Sequence, residues 1–91
     1  MQYAPLGNTG LYVSRLCFGA MTFNEPEGPM GQWIGGMTQA DADRMVGTAL
    51  DAGVNFFDTA NMYGMGSSEI MLGKALASRR EDAVIATKVY F

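Results

Sequence analysis

The sequence predicts an α/β chain in which parallel strands alternate with helices behind a leading β-hairpin. Three observations carry this. The order of segments reads hairpin, strand, long loop, helix, strand, helix, strand, and such alternation means parallel strands joined by right-handed crossovers. The glycines, 12 in all, gather in clusters along the chain that mark turns and loops. The 91 residues are 48% hydrophobic and 16% charged, which suits one folded unit, a small domain or a piece of a larger one, and not a disordered chain.

The hairpin is expected over residues 1–14. Tyr3 and Leu6 precede Gly7-Asn8-Thr9-Gly10, and Leu11 and Val13 follow; the glycines supply the positive φ of a tight reversal. Leu16-Cys17-Phe18-Gly19 reads as a short strand buried on both faces, with Cys17 as a packing residue. Residues 24–37 hold Pro26, Gly28, Pro29, Gly31, Gly35 and Gly36, a long loop rather than a helix or strand, of a length that is usually functional or mobile. The clearest helix spans 38–53. Thr38 and Asp41 have the spacing of an N-terminal capping pair. Ala42, Met45, Val46, Ala49 and Leu50 form one apolar face, and Gly53 stands where a left-handed residue stops a helix. A strand over 54–59 follows at once. After a glycine-containing turn, Ser67-Ser68-Glu69 opens a second helix with a hydroxyl cap and an acid in its first turn. Arg79-Arg80-Glu81-Asp82 is a solvated turn, and 83–89 is the third strand.

Composition narrows the function. A net charge of −3 argues against a nucleic-acid surface, which needs a basic stripe. No apolar run approaches the roughly 20 residues needed to cross a bilayer, and no charged-then-apolar leader opens the chain. One cysteine excludes an internal disulfide framework. A cytoplasmic protein with no metal site is expected. The absence of histidine excludes from this chain any mechanism step that needs one.

In a parallel sheet all strand C-termini share one edge, and sites gather there. Asp58 ends the second strand, Lys88 ends the third one strand-helix-strand repeat later, and Tyr63 lies in the loop after Asp58. A carboxylate, an ammonium and a phenol are thus expected to converge. Paired charges offset each other's desolvation, and an ammonium beside a phenol favours the phenolate form. Such a phenol can give a proton to a carbonyl oxygen as a hydride reaches the carbon. Taken singly, each residue has a plainer reading: Asp58 as a turn cap, Lys88 as a solvated cation, Tyr63 as packing. Met62 and Met65 line a substrate mouth or fill gaps. A dinucleotide site at Gly64-Met65-Gly66-Ser67-Ser68-Glu69 is weak, because an acid stands at the third glycine position and would repel a pyrophosphate.

Several separated blocks make the sequence similar to the aldo-keto reductase superfamily: Leu6-Gly7-Asn8-Thr9-Gly10-Leu11, Phe18-Gly19-Ala20-Met21-Thr22-Phe23, Gly53 through Ala60 with Tyr63-Gly64, Ser68-Glu69 with Leu72-Gly73, and Ile85-Ala86-Thr87-Lys88. The Trp33 loop and the Gly35-Gly36 pair resemble its bacterial and channel-β-subunit-like branch. The resemblance implies an α/β fold that is the N-terminal portion of a (β/α)8 barrel, with residues 1–91 forming the hairpin, three of eight strands and two helices of one incomplete domain. It implies NADPH-dependent reduction of an aldehyde or ketone, a small-molecule carbonyl substrate, and no nucleic acid or membrane partner. Asp58, Tyr63 and Lys88 match three of the family's four catalytic residues, Tyr63 as the general acid; the fourth is a histidine. Gly19, Ala20, Met21 and Asp58 match positions near the nicotinamide end of the cofactor. Trp33 belongs to a loop over the substrate mouth or packs that loop down. A full barrel needs about 250 residues, so 1–91 alone is expected to be inactive and to need the rest of the barrel, or self-association, for stability. The alternatives are a non-catalytic cofactor-sensing or channel-β-like binding subunit, and a truncated remnant.

Overall fold

The computed structural model describes residues 1–28 and 31–90; Pro29 of the glycine-rich loop and Phe91 at the close of the third-strand segment lie outside the described residues. Strands β1 (Tyr3–Pro5) and β2 (Tyr12–Ser14) form the antiparallel hairpin. Gly7 and Gly10 take the positive φ its turn requires, at 57° and 83°. Strands β3 (Phe18–Gly19), β4 (Phe56–Asp58) and β5 (Val84–Ala86) form a parallel sheet in that order. The crossovers carry helix α2 (Gln39–Asp51) between β3 and β4, and helix α3 (Ser67–Leu76) between β4 and β5.

Both long helices cover one face of this sheet. The register row Phe18, Phe57, Ile85 packs toward them with Ala42, Val46, Leu50, Leu72 and Leu76. The Phe18 ring lies 5.6 Å from those of Phe23 and Phe57. Cys17 and Leu16 correct the expectation of a strand buried on both faces: Leu16 is 64% exposed, and Cys17 is exposed and unpaired. Neither is part of the core: both precede β3, and it is Phe18 within the strand that packs toward the helices. Within these 91 residues Cys17 is not packed in the core.

Helix α2 starts and stops as expected. The Thr38 hydroxyl accepts a hydrogen bond from the Asp41 N–H at 3.2 Å, Arg44 pairs with Asp41 on the solvent side, and Gly53 has φ 98°. Its buried stripe is narrower than predicted, Ala42, Val46 and Leu50, with Met45 46% exposed. Two local expectations change. The 24–37 loop contains one helical turn, α1 (Gly31–Ile34), although glycine lowers helix propensity. Helix α3 has no hydroxyl cap: Gly66 is its N-cap, Ser67 Oγ donates back to the Gly64 carbonyl at 2.8 Å, and Ser68 is drawn inward. After α3, a 3-10 turn (Ala77–Asp82) carries Arg79, which bridges Asp51 at the end of α2 and Asp82.

The hairpin docks at the N-terminal rim of the parallel sheet through Asn55. The Asn55 Oδ1 accepts from the Ser14 N–H at 2.7 Å, its Nδ2 donates to the Tyr12 carbonyl at 3.0 Å, and its N–H donates to Ser14 Oγ at 3.1 Å. The Tyr3 hydroxyl donates to the Gly53 carbonyl at 2.6 Å. Among the described residues, no helix is long and apolar enough to cross a membrane.

Candidate active site

The C-terminal rim is where β4 and β5 continue past their last regular residues. Asp58 is in register with Gly19 and Ala86. The Thr59 N–H then donates to the Ala86 carbonyl at 2.9 Å, and the Asn61 N–H to the Lys88 carbonyl at 3.0 Å. This extended pairing sets Lys88 beside Asp58. Lys88 Nζ donates to both carboxylate oxygens of Asp58, at 3.0 and 2.9 Å, and to the Thr59 carbonyl at 2.7 Å. Three acceptors thus surround the ammonium. The same Nζ stands 5.1 Å from the centroid of the Tyr63 ring, within cation–π range. The three residues that sequence reasoning brought to one edge are together in space.

The electrostatics follow from these contacts. The Asp58 carboxylate holds the Lys88 ammonium above its ordinary value; partial desolvation opposes this, and Tyr63 adds to it. Lys88 is therefore a fixed cation across the neutral range. The pair is half-exposed, with side chains 47% and 39% accessible, so it shapes the local potential more than it stabilises the fold. Just before β3 the Cys17 thiol is pushed up, by burial first and then by the Asp58 carboxylate, against the pull of Lys88. A raised thiol is a poor nucleophile at neutral pH.

A buried hydroxyl chain braces this rim from the helix side, and sequence reasoning missed it. Ser68 Oγ donates to the Ala20 carbonyl at 2.6 Å and lies 2.6 Å from Thr59 Oγ1. Because the Ser68 proton is spent on Ala20, Thr59 donates to Ser68. Both residues are buried. The chain ties the end of β3, the end of β4 and the first turn of α3 together, directly behind the carbonyl that receives Lys88. Local pattern read Ser68 as a helix cap; nothing in the sequence pairs it with Thr59.

The expected cofactor positions divide. Gly19 is exposed, and no heavy atom lies within 4 Å of where a Cβ would stand. Met21 is 50% exposed. Ala20 is fully buried; its N–H is taken by the Asp58 carbonyl, and its own carbonyl by Phe23 and Ser68. Ala20 thus has no surface to offer a ligand and serves to fix the strand end. Gly19, Met21 and the half-exposed carboxylate of Asp58 are thus the accessible members of this set. Trp33 is 74% exposed, so it does not pack its loop down. Met62 and Met65 are exposed as well, at 46% and 69%, and fill no gap. Glu69 accepts from the Thr87 hydroxyl at 2.7 Å.

An ion-paired ammonium against a phenol, beside an open strand end, is an arrangement for proton transfer to an oxygen. The model of the aldo/keto reductase family matches residues 15–91. The chain belongs to that family.

Relatives of this aldo-keto reductase chain include an uncharacterized oxidoreductase of Bacillus subtilis, 44% identical over 97 residues that cover 99% of this chain and 27% of the relative. A probable voltage-gated potassium channel subunit beta of Oryza sativa is 37% identical, covering 100% of this chain and 26% of its own. In three dimensions the chain resembles the holo form of an aldo-keto reductase from Bacillus halodurans, with a TM-score of 0.79 and 37% identity over 98% of this chain and 26% of that one. The chain therefore spans about a quarter of the length of the relatives it matches, and its mixed α/β unit with two partial sheets is a piece of the aldo-keto reductase barrel fold.

Proposed function

We propose that residues 1–91 form the N-terminal part of an aldo-keto reductase barrel that reduces an aldehyde or ketone to an alcohol. The observation that supports this reading best is the position of Lys88 Nζ, bonded to both oxygens of Asp58 and 5.1 Å from the Tyr63 ring centroid. Bound NADPH would supply a hydride to the carbonyl carbon. Tyr63 is the general acid: its hydroxyl proton passes to the carbonyl oxygen, closing the alcohol O–H bond and leaving a phenolate. The Lys88 ammonium stabilises that phenolate by charge. Asp58 holds Lys88 in place and offers its remaining acceptor capacity to a ribose hydroxyl. Gly19 and Met21 border the nicotinamide end. A histidine that orients the carbonyl must come from outside these 91 residues, which contain none. The free thiol of Cys17 suits a reducing compartment, in keeping with a cytoplasmic location.

The experiment joins residues 1–91 to the remainder of the Bacillus halodurans relative and follows NADPH oxidation with a panel of aldehydes and ketones. Tyr63→Phe is expected to lower turnover by about a hundredfold or more and to leave cofactor affinity within about twofold. Full activity in that variant overturns the assignment of the acid.

A second reading rests on the rice relative. Its match spans the whole of this chain, so the rim could bind a cofactor and report its redox state to a partner instead of turning over substrate. Cofactor binding without reduction of any carbonyl tested would favour it. Under either reading the sheet face opposite the helices needs cover from more barrel or from another copy. Residues 1–91 alone are expected to self-associate or stay loosely packed, and a monodisperse monomer with cooperative unfolding would contradict this.

A further inference from the structure

We propose that Asn24 is a positioning residue for Tyr63, bracing the turn that carries the phenol while it closes the glycine-rich loop. The proposal rests on the reading of Tyr63 as the proton donor. Asn24 is fully buried. Its backbone carbonyl accepts from the Met37 N–H at 2.9 Å and its Nδ2 donates to the Gly35 carbonyl at 2.8 Å. Those two bonds hold together the ends of the loop that bears Trp33. A side chain at Gly36 would collide with the Asn24 carbonyl, so the approach is too close for any residue but glycine.

The other end of the amide faces the Tyr63 turn. Asn24 Oδ1 is buried and accepts no hydrogen bond among the described residues, an uncommon state for a buried oxygen. It points at Gly64, where a Cβ would come within 2.8 Å of it. Gly64, Met65 and Gly66 have φ of 58°, 56° and 106°, three left-handed residues in succession directly after Tyr63. Met65 is not glycine, and a residue with a Cβ keeps such a conformation only when its surroundings enforce it. Two groups leave Gly64 no room for a side chain: the Asn24 amide from the loop side and Ser67, whose hydroxyl donates to the Gly64 carbonyl, from the helix side. The turn they impose determines where the Tyr63 ring meets Lys88. A leucine would fill the same volume without an unpaired oxygen, but it could not bond the Gly35 carbonyl. One amide thus couples the loop near the substrate mouth to the residue that donates the proton.

The test uses the barrel completed with the Bacillus halodurans remainder. Asn24→Ala is expected to lower kcat tenfold or more while KM for the carbonyl and the Kd for NADPH stay within about twofold. Independently of activity, amide exchange at Tyr63 and Met65, whose N–H groups donate to Ala60 and Met62, should quicken tenfold or more, with Phe57 and Asp58 in β4 unchanged. Gly64→Ala attacks the same contact from the other side and should give the same local pattern. The double variant should cost less than the sum of the two singles, because removing the Asn24 amide opens space for the new methyl. Unchanged exchange at Tyr63 and Met65 overturns the proposal, as does additivity of the two substitutions. If Asn24→Ala unfolds the barrel, Asn24→Leu, which keeps the bulk and loses the amide, takes its place in the exchange measurement with the same expected outcome. If Tyr63→Phe keeps full activity, the reading of the acid falls, and the exchange data still decide whether Asn24 braces the turn.

Discussion

At the N-terminal rim of the parallel sheet, Asn55 reaches across 41 residues of sequence to satisfy Ser14 and, through Tyr12, to pin the hairpin. At the C-terminal rim, three residues away along the same strand, Lys88 binds Asp58 across 30 residues with both side chains half-exposed. The first arrangement is made of neutral amide bonds that close a backbone edge. The second is made of charges left open to solvent beside a phenol. Neutral bonds that replace lost water contacts stabilise a fold; an exposed ion pair adds little to stability but leaves a fixed cation where a developing negative charge would form. One short strand therefore separates a rim built for stability from a rim built for chemistry.

Substitutions can break this contrast or sharpen it. The largest effect is expected for Lys88→Met in the completed barrel: a fall in turnover of about tenfold to a hundredfold, with the melting temperature nearly unchanged. Asn55→Ala should do the reverse. It removes an acceptor and a donor from partly buried partners and is expected to cost about 2 kcal/mol of stability, read from denaturant midpoints, while kcat holds. A fall in turnover from Asn55→Ala that matches that of Lys88→Met would mean the two rims are one mechanical unit. The smallest effect is on pH. Asp58 and Tyr63 raise the Lys88 ammonium above its ordinary value of 10.5, so what the pair adds to stability is fully present below that pH and is lost as pH rises through the folded value. Wild type and Lys88→Met should differ in unfolding midpoint by the same amount at pH 7 and pH 9, and the difference should close only at higher pH.

Elements whose signals are local were legible in the sequence. Thr38 and Gly53 bracket α2 because a cap and a left-handed stop each depend on a few neighbouring residues. The Gly7–Gly10 turn is of the same kind. The convergence of Asp58, Tyr63 and Lys88 was legible for a different reason: parallel strands share a direction, so residues at equivalent strand ends meet without further information. What local pattern misjudged was burial. Leu16 and Cys17 read as interior because they are apolar, but both precede β3 and stand outside the core that the helices form with Phe18. Ser68 read as a cap because a hydroxyl precedes a helix, but a carbonyl 48 residues earlier draws it inward.

The amino-acid sequence alone determined the alternation of strands and helices, the stops of α2 and the shared rim of three chemical groups, because each rests on neighbour-to-neighbour conformational preference or on strand direction. The tertiary structure alone decided which face of the sheet is covered, and that Asn24, Asn55, Thr59 and Ser68 are the polar groups that hold the rims. A buried amide or hydroxyl takes its role from whichever backbone group the fold sets within about 3 Å of it, and that partner is tens of residues away in the chain.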